Sequence, residues 1–121
     1  EGEKIIPEML EHGEIISYKA FYDLANPDGD YNCFPFSEVL GKARISKKPL
    51  FRYFKEIVKP SLVVYGESDE YAWGEVPKLI GVMKKIKPDF RYEIIKGADH
   101  SFNGKKKELA AIASKWLAEK I

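Results

Sequence analysis

Between Pro60 and Gly66 lie four consecutive apolar residues, Leu62-Val63-Val64-Tyr65, and this run limits what the chain can become more than any other stretch. A strand with one wet face alternates apolar and polar residues, whereas a strand covered on both faces reads as an unbroken apolar run. The proline before it and the glycine after it give it the length of a strand and not of a helix. Strands of this kind belong to parallel sheets, whose crossover helices cover the faces, so the run predicts an α/β architecture with Leu62 to Tyr65 as a central strand.

The residues that follow fit that frame. Pro77 suits a first helical turn, Val76, Leu79, Ile80, Met83 and Ile86 recur at helical spacing, and Pro88 stops the pattern. Gly81 costs this helix about 1 kcal/mol relative to alanine. Phe90, Tyr92 and Ile94 alternate with Arg91 and Glu93 before Ile95, which predicts a second strand, half-exposed and near an edge. Leu109, Ile112, Ala113 and Trp116 mark a terminal amphipathic helix. Two parallel strands joined by a helix form a right-handed βαβ crossover. The double-sided character of Leu62 to Tyr65 demands another neighbour, and nothing in residues 1–58 reads as a good strand, so the expectation is that part of the sheet lies outside this chain.

Residues 1–58 read as short helices and loops. Ile5, Ile6, Met9 and Leu10 share a helical face, with Pro7 in a first turn and Gly13 as a stop. An aromatic stretch from Ile15 to Leu24 runs into Asn26-Pro27-Asp28-Gly29-Asp30, whose Pro-Asp-Gly centre signals a turn. Phe34, Phe36, Val39 and Leu40, then Leu50, Phe51, Tyr53, Phe54 and Ile57, bring apolar surface without a strand period. The division is therefore a helical, cap-like segment over 1–58 and a βαβα portion over 59–121.

Both predicted strands end in a glycine turn that presents ionisable side chains, Gly66-Glu67-Ser68-Asp69 and Gly97-Ala98-Asp99-His100-Ser101-Phe102. Open α/β sheets place their sites at this carboxyl edge. An acid followed by a histidine, in that chain order, matches two members of a hydrolytic triad. If the strands are adjacent and parallel, a carboxylate oxygen of Asp69 should lie within hydrogen-bond reach of His100 Nδ1. Glu67, Glu70 and Asp99 read as solvated loop charges, with Glu70 the alternative to Asp69 as the histidine's partner.

Residues 58–121 resemble the C-terminal part of the α/β-hydrolase family. There a Pro-x-Leu-Val-Val-x-Gly-x-x-Asp strand carries the triad acid and a Gly-Ala-Asp-His-x-Phe turn the histidine; here these stand as Pro60 to Asp69 and Gly97 to Phe102. A variable helical cap often precedes the acid-bearing strand in that family, and residues 1–58 look like such an insertion. The resemblance implies that Asp69 and His100 are catalytic, in an esterase or acyl-hydrolase acting on a small-molecule ester or acyl substrate. The family's nucleophile is a serine in a Gly-x-Ser-x-Gly elbow upstream of the acid, and no such elbow occurs in these 121 residues. Neither Ser68 nor Ser101 sits in one. Alone, then, the chain is expected to be inactive, with its partner either a second copy or the missing N-terminal half. The alternative is a non-catalytic βα interaction module that self-associates or binds a protein through its open sheet edge.

Other chemistries find little support in the sequence. Twenty basic residues balance nineteen acidic ones, a net charge of +1, so the bulk field that would gather nucleic acid is missing and Lys47-Lys48 and Lys105-Lys106-Lys107 read as solvated faces. No apolar stretch approaches the roughly 20 residues that cross a bilayer. Asn26, Asp28, Asp30 and Asn32 alternate like calcium ligands, but Gly29 is misplaced for such a loop and Ser37 stands where its glutamate belongs. Cys33 reads as a packing residue and not as a thiol nucleophile paired with His12 or His100. No zinc spacing or phosphate loop appears, and no cofactor is expected. A single cysteine fits a reducing compartment, the cytoplasm. The opening Glu1-Gly2-Glu3-Lys4 has no signal-peptide character and enters helix-like sequence at once, as at a processed or cut end.

Overall fold

Two parallel strands and the helix that joins them organise the protein, as seen in a computed structural model that describes residues 2–11, 13–30 and 36–121. Strand β1 (Leu62–Gly66) pairs with β2 (Arg91–Ile95), Leu62 opposite Arg91 and Gly66 opposite Ile95. Between them run a short 3-10 helix (Glu70–Ala72) and an α-helix (Val76–Ile86). A long helix (Lys106–Lys120) closes the chain against β1. Upstream are four short helices, α1 (Pro7–Glu11), α2 (Tyr18–Ala25), α3 (Phe36–Val39) and α4 (Arg52–Glu56). With these, Val76–Ile86 is α5 and Lys106–Lys120 is α6.

Helix α5 begins and ends where the sequence predicts, with Pro77 in its first turn. The Tyr92 hydroxyl lies between the carbonyl oxygens of Met83 (3.0 Å) and Lys87 (2.9 Å), tying the helix C-terminus to β2. Ala72, Val76, Leu79 and Ile80 form the core, and Phe36, Val39, Phe51, Tyr65 and Tyr92 pack on it. The upstream helices thus reach the core through α3 and the start of α4. Edge-on ring contacts extend the junction, Phe36 with Tyr65 at 6.1 Å and Phe54 with Phe90 at 5.5 Å between centroids.

Three features differ from the sequence expectation. Strand β1 is only half-buried over Leu62 to Tyr65, and Gly66 is its buried residue. The cause is topological: the sheet has two strands, so among the described residues one edge of β1 has no neighbour. In β2 the alternation breaks at its end, where Ile94 is 41% exposed and Ile95 is buried. Finally, residues flanking α1 form an antiparallel bridge, Ile5 with Ser17. Ile6 N–H donates to Ile16 O and Tyr18 N–H to Lys4 O, both at 2.9 Å. A single bridged pair leaves no period in a sequence, and none is visible there.

Candidate functional site

Because β1 and β2 run in parallel, their carboxyl ends lie side by side, and the turns after Gly66 and Gly97 meet. They meet closely. Glu67 N–H donates to Ile95 O and Ser68 N–H to Ala98 O, both at 2.9 Å. A Cβ on Gly66 would stand 2.5 Å from the Asp99 carbonyl oxygen and run into the Ala98 carbonyl as well. Only glycine permits this approach of backbone to backbone. Gly97 has a second requirement, a left-handed conformation at φ 69° that turns the chain out of β2.

Asp69 lies at the bottom of the junction, 3% exposed. Its two carboxylate oxygens have separate tasks. Oδ1 accepts the Tyr71 N–H at 2.9 Å and caps the 3-10 helix, while Oδ2 lies 2.9 Å from His100 Nδ1. Where Asp69 is ionised it can only accept, so in the neutral imidazole this contact places the proton on Nδ1 and leaves the lone pair on Nε2. The His100 side chain is 52% exposed, which leaves a buried acid orienting a ring that solvent or a ligand can reach.

Two neighbours of Asp69 also hold His100. The His100 backbone N–H donates to Glu70 Oε2 at 3.0 Å, and the Tyr71 ring meets the imidazole edge-on, centroids 4.5 Å apart. Three successive residues thus grip the ring at Nδ1, at the backbone and at one side. The bond from His100 N–H, first among its causes, holds the Glu70 carboxyl below the usual glutamate range. Glu67 Oε2 accepts the Gly97 N–H at 2.8 Å, and Asp99 accepts both the backbone N–H and the side-chain amide of Asn103 at 2.9 Å. These bonds from Asn103 keep Asp99 below its ordinary pKa. The sequence reads Glu67, Glu70 and Asp99 as solvated charges; the structure gives each a backbone N–H of the histidine loop. Their donors lie on a distant turn for Glu67 and Glu70, so spacing along the chain carries no trace of the bonds. Burial, with the Asp69 charge adding to it, pushes the Tyr65 hydroxyl up to about 12, so that phenol stays neutral beside the carboxylate.

A cavity of about 530 Å³ opens next to this site, between α1–α2, α3 and the 3-10 helix. Met9, Ile16, Phe21, Leu24, Phe36 and Trp73 line it, together with Tyr71, whose ring touches His100. The aromatic content of the first half is therefore partly core and partly cavity wall.

Other sequence candidates end elsewhere. Ser68 and Ser101 are exposed loop residues. Asp28 accepts the backbone N–H groups of Lys47 (2.9 Å) and Lys48 (2.8 Å), and Asp30 accepts from the Tyr53 hydroxyl (2.9 Å), so both carboxylates of the Asn26 to Asp30 turn bind protein groups. Among the described residues no group of acids, histidines and cysteines is placed to hold a metal, and no helix is long and apolar enough to cross a membrane. Cys33, His12, Asn32 and Phe34 lie outside the described residues. Comparison with protein-family models, with curated proteins and with solved structures finds no match.

Proposed function

We propose that Asp69 and His100 are the acid and the histidine of a Ser-His-Asp triad on an α/β-hydrolase fold, with the serine contributed from outside these residues and a small-molecule ester or acyl compound as substrate. The observation that carries this reading is the 2.9 Å contact of buried Asp69 Oδ2 with Nδ1 of an exposed imidazole, at the carboxyl ends of adjacent parallel strands. In that arrangement Nε2 takes the serine proton as the hydroxyl attacks the acyl carbon, and later returns it to the leaving group. Asp69 holds the tautomer and stabilises the imidazolium that forms between those steps. The 121 residues contain no Gly-x-Ser-x-Gly elbow serine, so the chain by itself is expected to turn over no ester.

The test is made in an assembly or longer polypeptide that carries the serine. There Asp69→Asn should lower kcat by on the order of 10⁴-fold by presenting the wrong tautomer, with His100→Ala at least as severe. Activity on activated esters within a few-fold of the unmodified protein would remove both residues from the catalytic machinery. A second reading draws on the open edge of half-buried β1: a non-catalytic module that pairs this edge with a partner strand or a second copy. That reading expects concentration-dependent association and indifference to both substitutions.

A further inference from the structure

Strand β1 pairs with β2 as far as Gly66 and Ile95, and beyond the sheet the two turns go on pairing by other means. Ser68 N–H still donates to a backbone oxygen, that of Ala98 at 2.9 Å. On either side of that bond the acceptors are side chains: Glu67 Oε2 takes the Gly97 N–H at 2.8 Å and Glu70 Oε2 the His100 N–H at 3.0 Å. Carboxylates thus hold the first and last residues of the segment 97–100. Both glutamates are exposed, where water competes for the same N–H groups, and an ionised acceptor makes a stronger hydrogen bond than a neutral one. The far side of the loop is closed separately. Asp99 accepts the backbone N–H and the side-chain amide of Asn103, each at 2.9 Å, and Phe102 turns the chain in a left-handed conformation at φ 55°. The backbone of the histidine loop is therefore held from both directions while its imidazole stays open to solvent.

We propose that Glu67 and Glu70 are positioning residues, which fix the backbone of the histidine loop so that this chain presets the Asp69–His100 pair before any serine is brought to it. Asp69 grips one ring nitrogen, and a ring on two rotatable bonds follows its backbone wherever that backbone moves. Misplacing a reacting group by about 1 Å can cost on the order of 10²-fold in rate. A single contact at Nδ1 does not hold Nε2 to that tolerance. Anchors on the N–H groups of Gly97 and His100, with the Tyr71 ring at the side of the imidazole, supply the missing constraints. The effect on turnover rests on the hydrolase reading; the placement of the imidazole does not.

The test begins in the 121-residue chain carrying His12→Gln, which leaves His100 as its one imidazole. In mildly alkaline solution the ring nitrogen-15 shifts should report the Nδ1–H tautomer. Glu67→Ala combined with Glu70→Ala should lower the ratio of Nδ1–H to Nε2–H roughly threefold or more. Amide protection in α5 should stay unchanged, since both side chains are exposed and their removal opens no cavity. The paired Glu→Gln variants should keep the ratio, because an amide oxygen still accepts the N–H. Glu70→Ala alone gives the same readout at smaller amplitude should the alanine pair unfold. In the serine-containing protein the alanine pair should lower kcat by on the order of 10²-fold with KM within about twofold, and the glutamine pair should stay near the unmodified rate. An unchanged tautomer ratio in the alanine variants, a loss as large with glutamine, or an unchanged kcat where Asp69→Asn is inactive would overturn the proposal. Turnover indifferent to Asp69→Asn and His100→Ala would instead remove the triad and leave the tautomer result standing.

Discussion

Upstream of Pro60, Leu40 is the buried hydrophobic side chain among the described residues; downstream, Ala72, Val76, Leu79, Ile80, Met83, Phe90, Ile95 and Ala98 all are. The two regions are held by different physics. Downstream, apolar side chains close on one another around α5 and the strand pair. Upstream, the chain is fixed by polar pins and ring edges: Asp28 on two backbone N–H groups, Arg52 on the carbonyls of Pro27 and Gly29, Phe36 against Tyr65. Helices α1 and α2 cover the cavity without burying a residue of their own. The contrast teaches that the cover takes its order from the core beneath it, and that the site sits on their border, with Asp69 and His100 in the packed region and Tyr71 facing the cover. Local stability should follow that division.

The contrast is broken most directly by paired truncations. Leu79→Ala, at a fully buried position, should cost about 2–5 kcal/mol in denaturant unfolding. Leu10→Ala, at 53% exposure, should stay within about 0.5 kcal/mol. Similar losses at the two sites would mean that the regions do not differ. Phe36→Ala sharpens the comparison at its seam. Removing a half-buried ring and its edge contact with Tyr65 should cost about 1–2 kcal/mol, with amide exchange rising in α2 while β1 and β2 keep their protection. If the strands lost protection equally, the cover would be part of the core.

The smallest effect is a pH dependence. A carboxyl whose folded pKa is depressed stabilises the fold above its unfolded value and loses that contribution as pH falls through the folded one. For Glu70, depressed from 4.5 chiefly by the His100 N–H, the protection factor of the His100 amide, corrected for intrinsic exchange, should therefore fall as pH drops from 4.5 through the depressed value, while amides of α5 keep theirs. Glu70→Gln should flatten the profile. A profile identical in the variant would show that Glu70 does not hold the loop.

How far these features were legible in the sequence varies by element. Leu62 to Tyr65 and the α5 pattern announce themselves because an unbroken apolar run of strand length and a 3.6-residue repeat can each be read directly from the residues, and the glycine turns disclose the Asp69–His100 pair because parallel strands bring their carboxyl ends together. The half-burial of β1 was not legible, since a sequence records what a strand is suited to and not which neighbours it has. Nor was the grip of Glu67 and Glu70 on the histidine loop, where each acceptor and its donor stand 30 positions apart. Which side chains wall the cavity was not legible for a related reason: Phe21, Leu24 and Trp73 look like any core residues until the packing leaves them partly exposed.

The parallel pairing of β1 with β2 also has a kinetic consequence. Antiparallel strands can zip outward from a tight turn, but parallel ones come together only after the intervening chain has closed a long loop, and such non-local contacts form slowly. Asp69 and His100 stand 31 positions apart. Their hydrogen bond requires the finished crossover and cannot form in any local fragment of it, whereas α1 and α2 can flicker into helix in an otherwise unfolded chain. In a refolding experiment the imidazole signal of His100 would therefore act as a clock that strikes last, marking the moment when the tertiary structure around the strands is complete.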